Sequence, residues 1–258
     1  MDPMVAGLAE WLAAATDWRV EFVRDISWQE RELAFDRGEI QLLWLCGLPY
    51  VRKADDLTKA VWPVAAPVMA SDRYRNRPIY FSDVVVRHDS EFESWFDLAG
   101  ARWAINEPGS HSGYNVTRWR LAQEGLDWSF FEQVLVAGSH ESALSLLLEE
   151  KIDAAAIDST VLALAARSNP NLMRQVRVID TLGPSPAPPW VCVGDVDPDQ
   201  FQKLKSALLA MGQSTRGRDI LALAGFVRMA AVADEDYEPI RRMDQLAQKV
   251  PEPDWLDP

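Results

Sequence analysis

The chain has 258 residues, 48% hydrophobic and 25% charged, and 39 acidic against 26 basic side chains leave a net charge of -13. That composition excludes a disordered or fibrous chain and suffices for one large domain or two lobes of about 100 to 150 residues. So acidic a surface repels nucleic acid and anionic membrane at long range, so no nucleic-acid partner is expected, while a small anion held by neutral donors remains compatible.

No run reaches the roughly 20 apolar residues of a membrane span, and Met1 to Gly7 opens acidic, without a signal-peptide pattern. Taken as it stands, such a chain would be cytoplasmic. Cys46 and Cys192 each sit in an apolar strand-like run without metal spacing and read as core residues, pairing only if the fold brings them together.

Leu8 to Ala15 has helical apolar spacing, and Asp17 to Val23 then alternates as a strand does. Ser27 with Glu30 makes a capping box for a helix to about Arg37, which Gly38 stops. Ile40 to Cys46 reads as a buried strand, and Gly47 to Val51 as the loop at its C-terminal end, which makes Tyr50 a candidate contact. Val61 to Met69, interrupted by prolines, reads as a strand near an edge. Ile79 to Arg87 is a long strand and Phe92 to Leu98 a short helix.

The stretch Ala104-Ile-Asn-Glu-Pro-Gly-Ser-His-Ser-Gly-Tyr114 reads as a strand end, a Gly-rich turn and a helix start. Such a turn gathers unpaired N–H groups, hydroxyls and the positive end of a helix dipole, a natural seat for a small oxyanion; the plain alternative is an N-cap without a ligand. Gln133 to Ser142 repeats the pattern as a buried strand, a Gly-Ser-His turn at Gly138 to His140, and a helix through Leu148. Ala154 to Ile157 is a small-residue strand, and Asp158 at its end caps the next helix. The helix, acidic turn and strand of 33–44 resemble those of 144–157, which suggests two similar α/β halves. Val176 to Ile179 and Trp190 to Val193 are strands around the Pro-rich Gly183 to Pro189, a hinge flank. Pro198 to Met211 and Thr215 to Leu223 are helices, Asp234 begins the last one, and the tail from Pro251 is expected to fray.

Tyr50 after a Trp-bearing strand, Tyr80-Phe-Ser82, Asp97 to Ala104, Glu107 to Tyr114, Gly138 to His140, Asp153 to Thr160, Pro188-Pro-Trp190 and Asp236 to Arg241 form an ordered set spanning nearly the whole chain. In that order the chain resembles the phosphonate, phosphate and phosphite substrate-binding proteins of ABC transporters. The resemblance implies a type II periplasmic binding protein fold: α/β, with two Rossmann-like lobes and a ligand cleft between them. Lobe 1 would comprise 1–81 plus 189–258 and lobe 2 residues 82–188. It implies capture of a phosphonate, phosphate or phosphite for uptake, no enzymatic activity, no cofactor or metal, a permease and ATPase as partners, and a monomer in the periplasm. The family's Ser-Thr-Ser turn maps onto Ser110, His111 and Ser112, joined by Tyr50, Tyr80, His140 and Asp158.

Two departures accompany the resemblance. His111 stands where a small hydroxyl residue is usual, and would narrow the pocket or add a pH-sensitive donor. The family begins with a leader and a first strand before the helix found here near Gly7, so a truncated start and an absent first strand of lobe 1 are expected. Competing readings are a ligand-sensing domain of the same fold, or a binder of a thiamine-precursor-like molecule. A serine hydrolase using Ser110 or Ser112 with His140 and Asp158 is more remote, because histidine, not serine, centres Gly109 to Gly113.

Overall fold

The computed structural model describes residues 2–56, 60–194 and 196–253. In chain order its elements are α1 (Asp2–Thr16), α2 (Trp28–Asp36), β1 (Leu42–Trp44), α3 (Gly47–Asp55), β2 (Val61–Met69), β3 (Ile79–Arg87), β4 (Arg102–Ile105), α4 (Val116–Glu124), β5 (Gln133–Val136) and α5 (His140–Leu148). They continue with β6 (Ala154–Asp158), α6 (Ser159–Ser168), α7 (Leu172–Gln175), β7 (Val176–Pro186), β8 (Trp190–Val193), α8 (Pro198–Ala210), α9 (Thr215–Ala222), β9 (Phe226–Ala231) and α10 (Glu238–Ala247). The chain divides into unit 1, Met1–Ile79 with Pro186–Glu238, and unit 2, Tyr80–Ser185 with Pro239–Pro258.

In unit 1 the strand order is β1-β8-β2-β9, and every pairing is antiparallel. Helix α8 packs on β2 and β9, and α1 lies against α8 and α9. Local signals hold where the chain alone settles them: Ser27 and Glu30 form the capping box of α2, and Gly38 takes a φ of 73° after it. Four expectations change. The stretch 17–23 forms no strand and joins no sheet among the described residues, and Asp17 takes a φ of 61°. The expected loop at 47–51 is the start of α3, because Pro49 falls in the first turn, where a missing N–H costs nothing. Strand β2 is interior rather than near an edge, and its register shifts between Pro63 and Ala65, beside the residue that has no donor for the ladder. Strand β9 had no counterpart in the sequence reading.

In unit 2 the order is β5-β4-β6-β3-β7, with β4 parallel to β5 and β6, and β3 antiparallel to β6. Strands buried on both faces read as apolar runs, and their alternate residues divide between two cores. Val84, Val86, Trp103, Ile105, Ala154 and Ala156 pack with Trp95, Tyr114, Leu121 and Phe131. Val85, Ala104, Ala155 and Ile157 pack with Leu144, Leu147, Leu162 and Leu172. Strand β5, expected to be buried, is the sheet edge, and Val136 is 48% exposed.

Residues from Pro239 on were expected with lobe 1, yet Met243 and Val250 belong to the first of these unit 2 cores, and the Arg118 guanidinium donates to the Val250 carbonyl at 2.6 Å. The tail beyond Pro253 lies outside the described residues. No disulfide joins Cys46 to Cys192, and burial pushes the Cys192 thiol up to about 12.

Trp103 is fully buried and stacks on Phe131 with ring centroids 4.8 Å apart. Trp103→Ala is expected to cost about 3 to 5 kcal/mol, measured as a lower midpoint of urea unfolding; a loss below about 1 kcal/mol would mean that this core collapses around the gap.

Candidate functional site

The C-terminal ends of the parallel strands β4 and β6 lie on one edge of the unit 2 sheet, and Ser82 of antiparallel β3 pairs there with Asp158. Three helical segments start from that edge. Ser110 caps a π-type turn, His111–Asn115, that runs into α4; Ser139 caps α5; Asp158 caps α6. The Ser110 hydroxyl accepts from the Gly113 N–H at 3.3 Å, Ser139 from Ser142 at 3.0 Å, and the Asp158 carboxylate from Thr160 at 2.7 Å. Helix starts of this kind present N–H groups that intrahelical bonding does not use, and at α6 the Val161 N–H, like that of Thr160, bonds to the Asp158 carboxylate. Two backbone bonds join the turns after β4 and β5: Ala137 N–H donates to Ile105 and Gly138 N–H to Asn106, at 2.8 and 2.7 Å.

Side chains of two of these helix starts form a line of hydrogen bonds. Ser110 Oγ lies 3.3 Å from Ser112 Oγ, and Ser112 Oγ lies 2.6 Å from His140 Nε2. All three residues are buried, and burial holds His140 down to about 4, so its imidazole is neutral at pH 7. His140 Nδ1, Ser82 Oγ and Asn106 Oδ1 are buried and have no hydrogen-bond partner among the described residues. Buried polar atoms left so are costly.

The other expected site residues are placed differently. His111 does not add a pH-sensitive donor: its ring is fully buried and burial lowers it to about 3. Its Nδ1 is 3.1 Å from Asn115 Nδ2 and its Nε2 2.9 Å from Ser185 Oγ, so both ring nitrogens face protein partners. Tyr80 is buried with its ring edge-on to His111. Asp158 is raised to about 6 by burial, against the bonds from Thr160 and Val161 that lower it, with a smaller upward push from Asp83. Tyr50 lies in unit 1, fully buried in α3, and its hydroxyl donates to Asp234 at 2.6 Å. Sequence reasoning missed Ser82, Asn106, Asn115 and Ser185. Asn106, directly after a strand, and Asn115, four residues beyond His111 along a helix, carried a local signal; Ser185 in its Pro-rich segment carried none.

Gly113 touches Asn106 so closely that an added Cβ would lie 2.1 Å from the Asn106 Oδ1. Gly113→Ala should therefore destabilise the protein by about 1 to 3 kcal/mol, read by urea unfolding, and a variant as stable as the parent would mean that the turn shifts freely.

Because Asp158 is raised in the folded state, the folded chain holds a proton there that the unfolded chain releases, and this group's contribution to stability falls as pH rises from about 4 to 6. Asp158→Asn keeps the cap acceptor and removes the titration. Relative to the parent it should gain stability between pH 4 and pH 7, by at most about 3 kcal/mol. Parallel unfolding curves at the two pH values test this, and an unchanged difference would refute it.

A family model of ABC transporter phosphonate periplasmic substrate-binding proteins matches residues 1–237. Among solved structures, the chain is similar to a binding protein component of an ABC phosphonate transporter from Pseudomonas aeruginosa, with 19% identity and a TM-score of 0.82 over 95% of this chain and 81% of that one. A Prochlorococcus marinus protein solved in complex with methylphosphonate also has 19% identity and a TM-score of 0.82, over 96% and 93%. A Xanthomonas citri protein solved bound to ATP has 16% identity and a TM-score of 0.73 over 96% and 92%. At these identities the solved structures establish the shared fold, that of the type II periplasmic binding proteins. With more than nine-tenths of its length matched by the family model, the chain belongs to the periplasmic substrate-binding proteins of phosphonate ABC transporters.

Proposed function

We propose that this chain captures a small phosphorus oxyanion and hands it to an ABC permease and its ATPase, with Ser110, Ser112 and His140 as the seat of the phosphorus oxygens. The observation that carries this reading is the hydrogen-bonded line Ser110, Ser112, His140 at two adjoining helix starts, in a chain of this family. With a net charge of -13 the protein as a whole does not attract an anion, so the holding must be local. Neutral hydroxyls and first-turn N–H groups do this without burying a cation, and the helix starts add their positive ends. A neutral His140 that donates from Nε2 leaves the Ser112 hydroxyl hydrogen for the ligand.

Asp158 at the same sheet edge suits a ligand that brings its own donor. When ionised it accepts from an amine or a P–OH group, and when protonated it donates to an oxyanion. Capture rather than catalysis is favoured by the same hydrogen bonds. Ser112 and His140 are as close as a nucleophile and its base, yet no described residue bonds His140 Nδ1, so the orienting carboxylate of a triad is missing. We further propose a periplasmic location, as in the rest of the family, and a monomer.

Calorimetric titration of ligand-stripped protein in a non-phosphate buffer tests the function. Methylphosphonate, 2-aminoethylphosphonate, phosphate and phosphite are each added to the parent and to a Ser110→Ala, Ser112→Ala double variant. At least one should bind the parent with micromolar or better affinity. The double variant should lose about 100-fold or more, since each hydrogen bond to a charged group contributes about 1.5 to 3 kcal/mol. Folded parent protein that binds none of the four would sink the reading; full binding by the double variant would move the seat elsewhere.

A further inference from the structure

The hydrogen bonds of His111 form a second line, distinct from that of Ser110, Ser112 and His140. The Asn115 amide donates to His111 Nδ1, which leaves the ring hydrogen on Nε2, and Nε2 donates to Ser185 Oγ. The Ser185 hydroxyl in turn points at Met243 Sδ, 3.8 Å away. The Tyr80 ring stands at 75° to the imidazole, with centroids 6.5 Å apart. All five of these residues are buried, with Met243 the most exposed at 9%.

These partners occupy special places in the chain. Tyr80 is the first residue of unit 2, Ser185 is the last before the chain returns to unit 1, and Met243 follows its re-entry at Pro239. One imidazole thus meets the residues at both ends of the first passage through unit 2 and, through Ser185, the helix of the second. Its own backbone lies between Ser110 and Ser112, so bonds that hold the ring also hold the backbone from which the two flanking hydroxyls project. A neutral ring serves this purpose, since it donates at one nitrogen and accepts at the other; an imidazolium would lose the bond from Asn115. The low value of about 3 for His111 agrees with a ring that stays neutral.

We infer that His111 is a positioning residue: through Asn115, Ser185 and Tyr80 its side chain fastens the Ser110 to Ser112 turn to the segments by which the chain enters and leaves unit 2. The anion at that turn rests on the function proposed above; the fastening does not. The role therefore has a readout in the ligand-free protein.

The test compares the parent with His111→Leu, which keeps bulk and loses both bonds, with His111→Gln, whose amide offers a donor and an acceptor, and with Ser185→Ala. Amide hydrogen exchange is followed without ligand, and each protein is then titrated with methylphosphonate. His111→Leu and Ser185→Ala should speed exchange across 111–116 about ten-fold, as expected when a buried partner is left unsatisfied. Peptides of α8 in unit 1 should not change, and His111→Gln should stay near the parent.

Methylphosphonate affinity should fall about ten-fold in His111→Leu and recover in His111→Gln. Parent-like exchange at 111–116 in both His111→Leu and Ser185→Ala would overturn the inference. So would a His111→Leu variant that binds methylphosphonate as the parent does. Should His111→Leu fail to fold, Ser185→Ala decides alone. If the parent binds none of the phosphorus oxyanions but the exchange pattern appears, the fastening stands and the proposed function falls.

Discussion

A helix that begins shortly after the end of a strand carries first-turn N–H groups that its own intrahelical bonds do not use. Unit 2 has three such starts on one edge of its sheet, at Ser110, Ser139 and Asp158. Their placement follows from strand direction, because β4 and β6 run parallel and deliver their ends to the same side. Only then can short side chains such as Ser112 and His140, 28 residues apart in the chain, come within 2.6 Å. The sheet thus supplies the positions and the helix starts supply the donors.

Burial then sets the charge state of what is placed there. His111, His140 and Asp158 are all shifted toward neutrality, and in each case loss of solvent is the largest cause. An acidic protein that must hold an anion gains from this arrangement, since neutral donors at fixed geometry need neither a buried cation nor a change of protonation. The cost appears as buried polar atoms without partners, at Ser82, Asn106 and His140. Those three atoms lie in residues that the strand ends and helix starts bring to this edge; in the aromatic core of unit 2 the buried indole nitrogens of Trp95 and Trp103 are likewise without partners among the described residues.

The two histidines that follow a Gly-Ser pair show how similar sequence contexts diverge. His140 is the first residue of α5 and turns its Nε2 to Ser112. His111 also follows its serine cap, yet its ring goes to Asn115 and Ser185. The difference lies in what packs against each turn, and the segment around Ser185 reaches His111 from 74 residues away.

Much of this was legible in the sequence because it is local. The capping box at Ser27, the Gly125 stop of α4 with its φ of 69°, the serine-rich helix starts and the Asp158 cap are settled within a few residues by backbone hydrogen bonding and steric limits. The ordered motifs likewise pointed to the family and its fold. Tertiary structure alone decided which strands are edges, so that β2 is interior and β5 is not, and it brought in β9, whose pairing with β2 joins residues far apart in the chain. It also placed Tyr50 against Asp234 and His111 against Ser185. Those choices depend on which distant surface covers a side chain, and spacing along the chain carries no record of that.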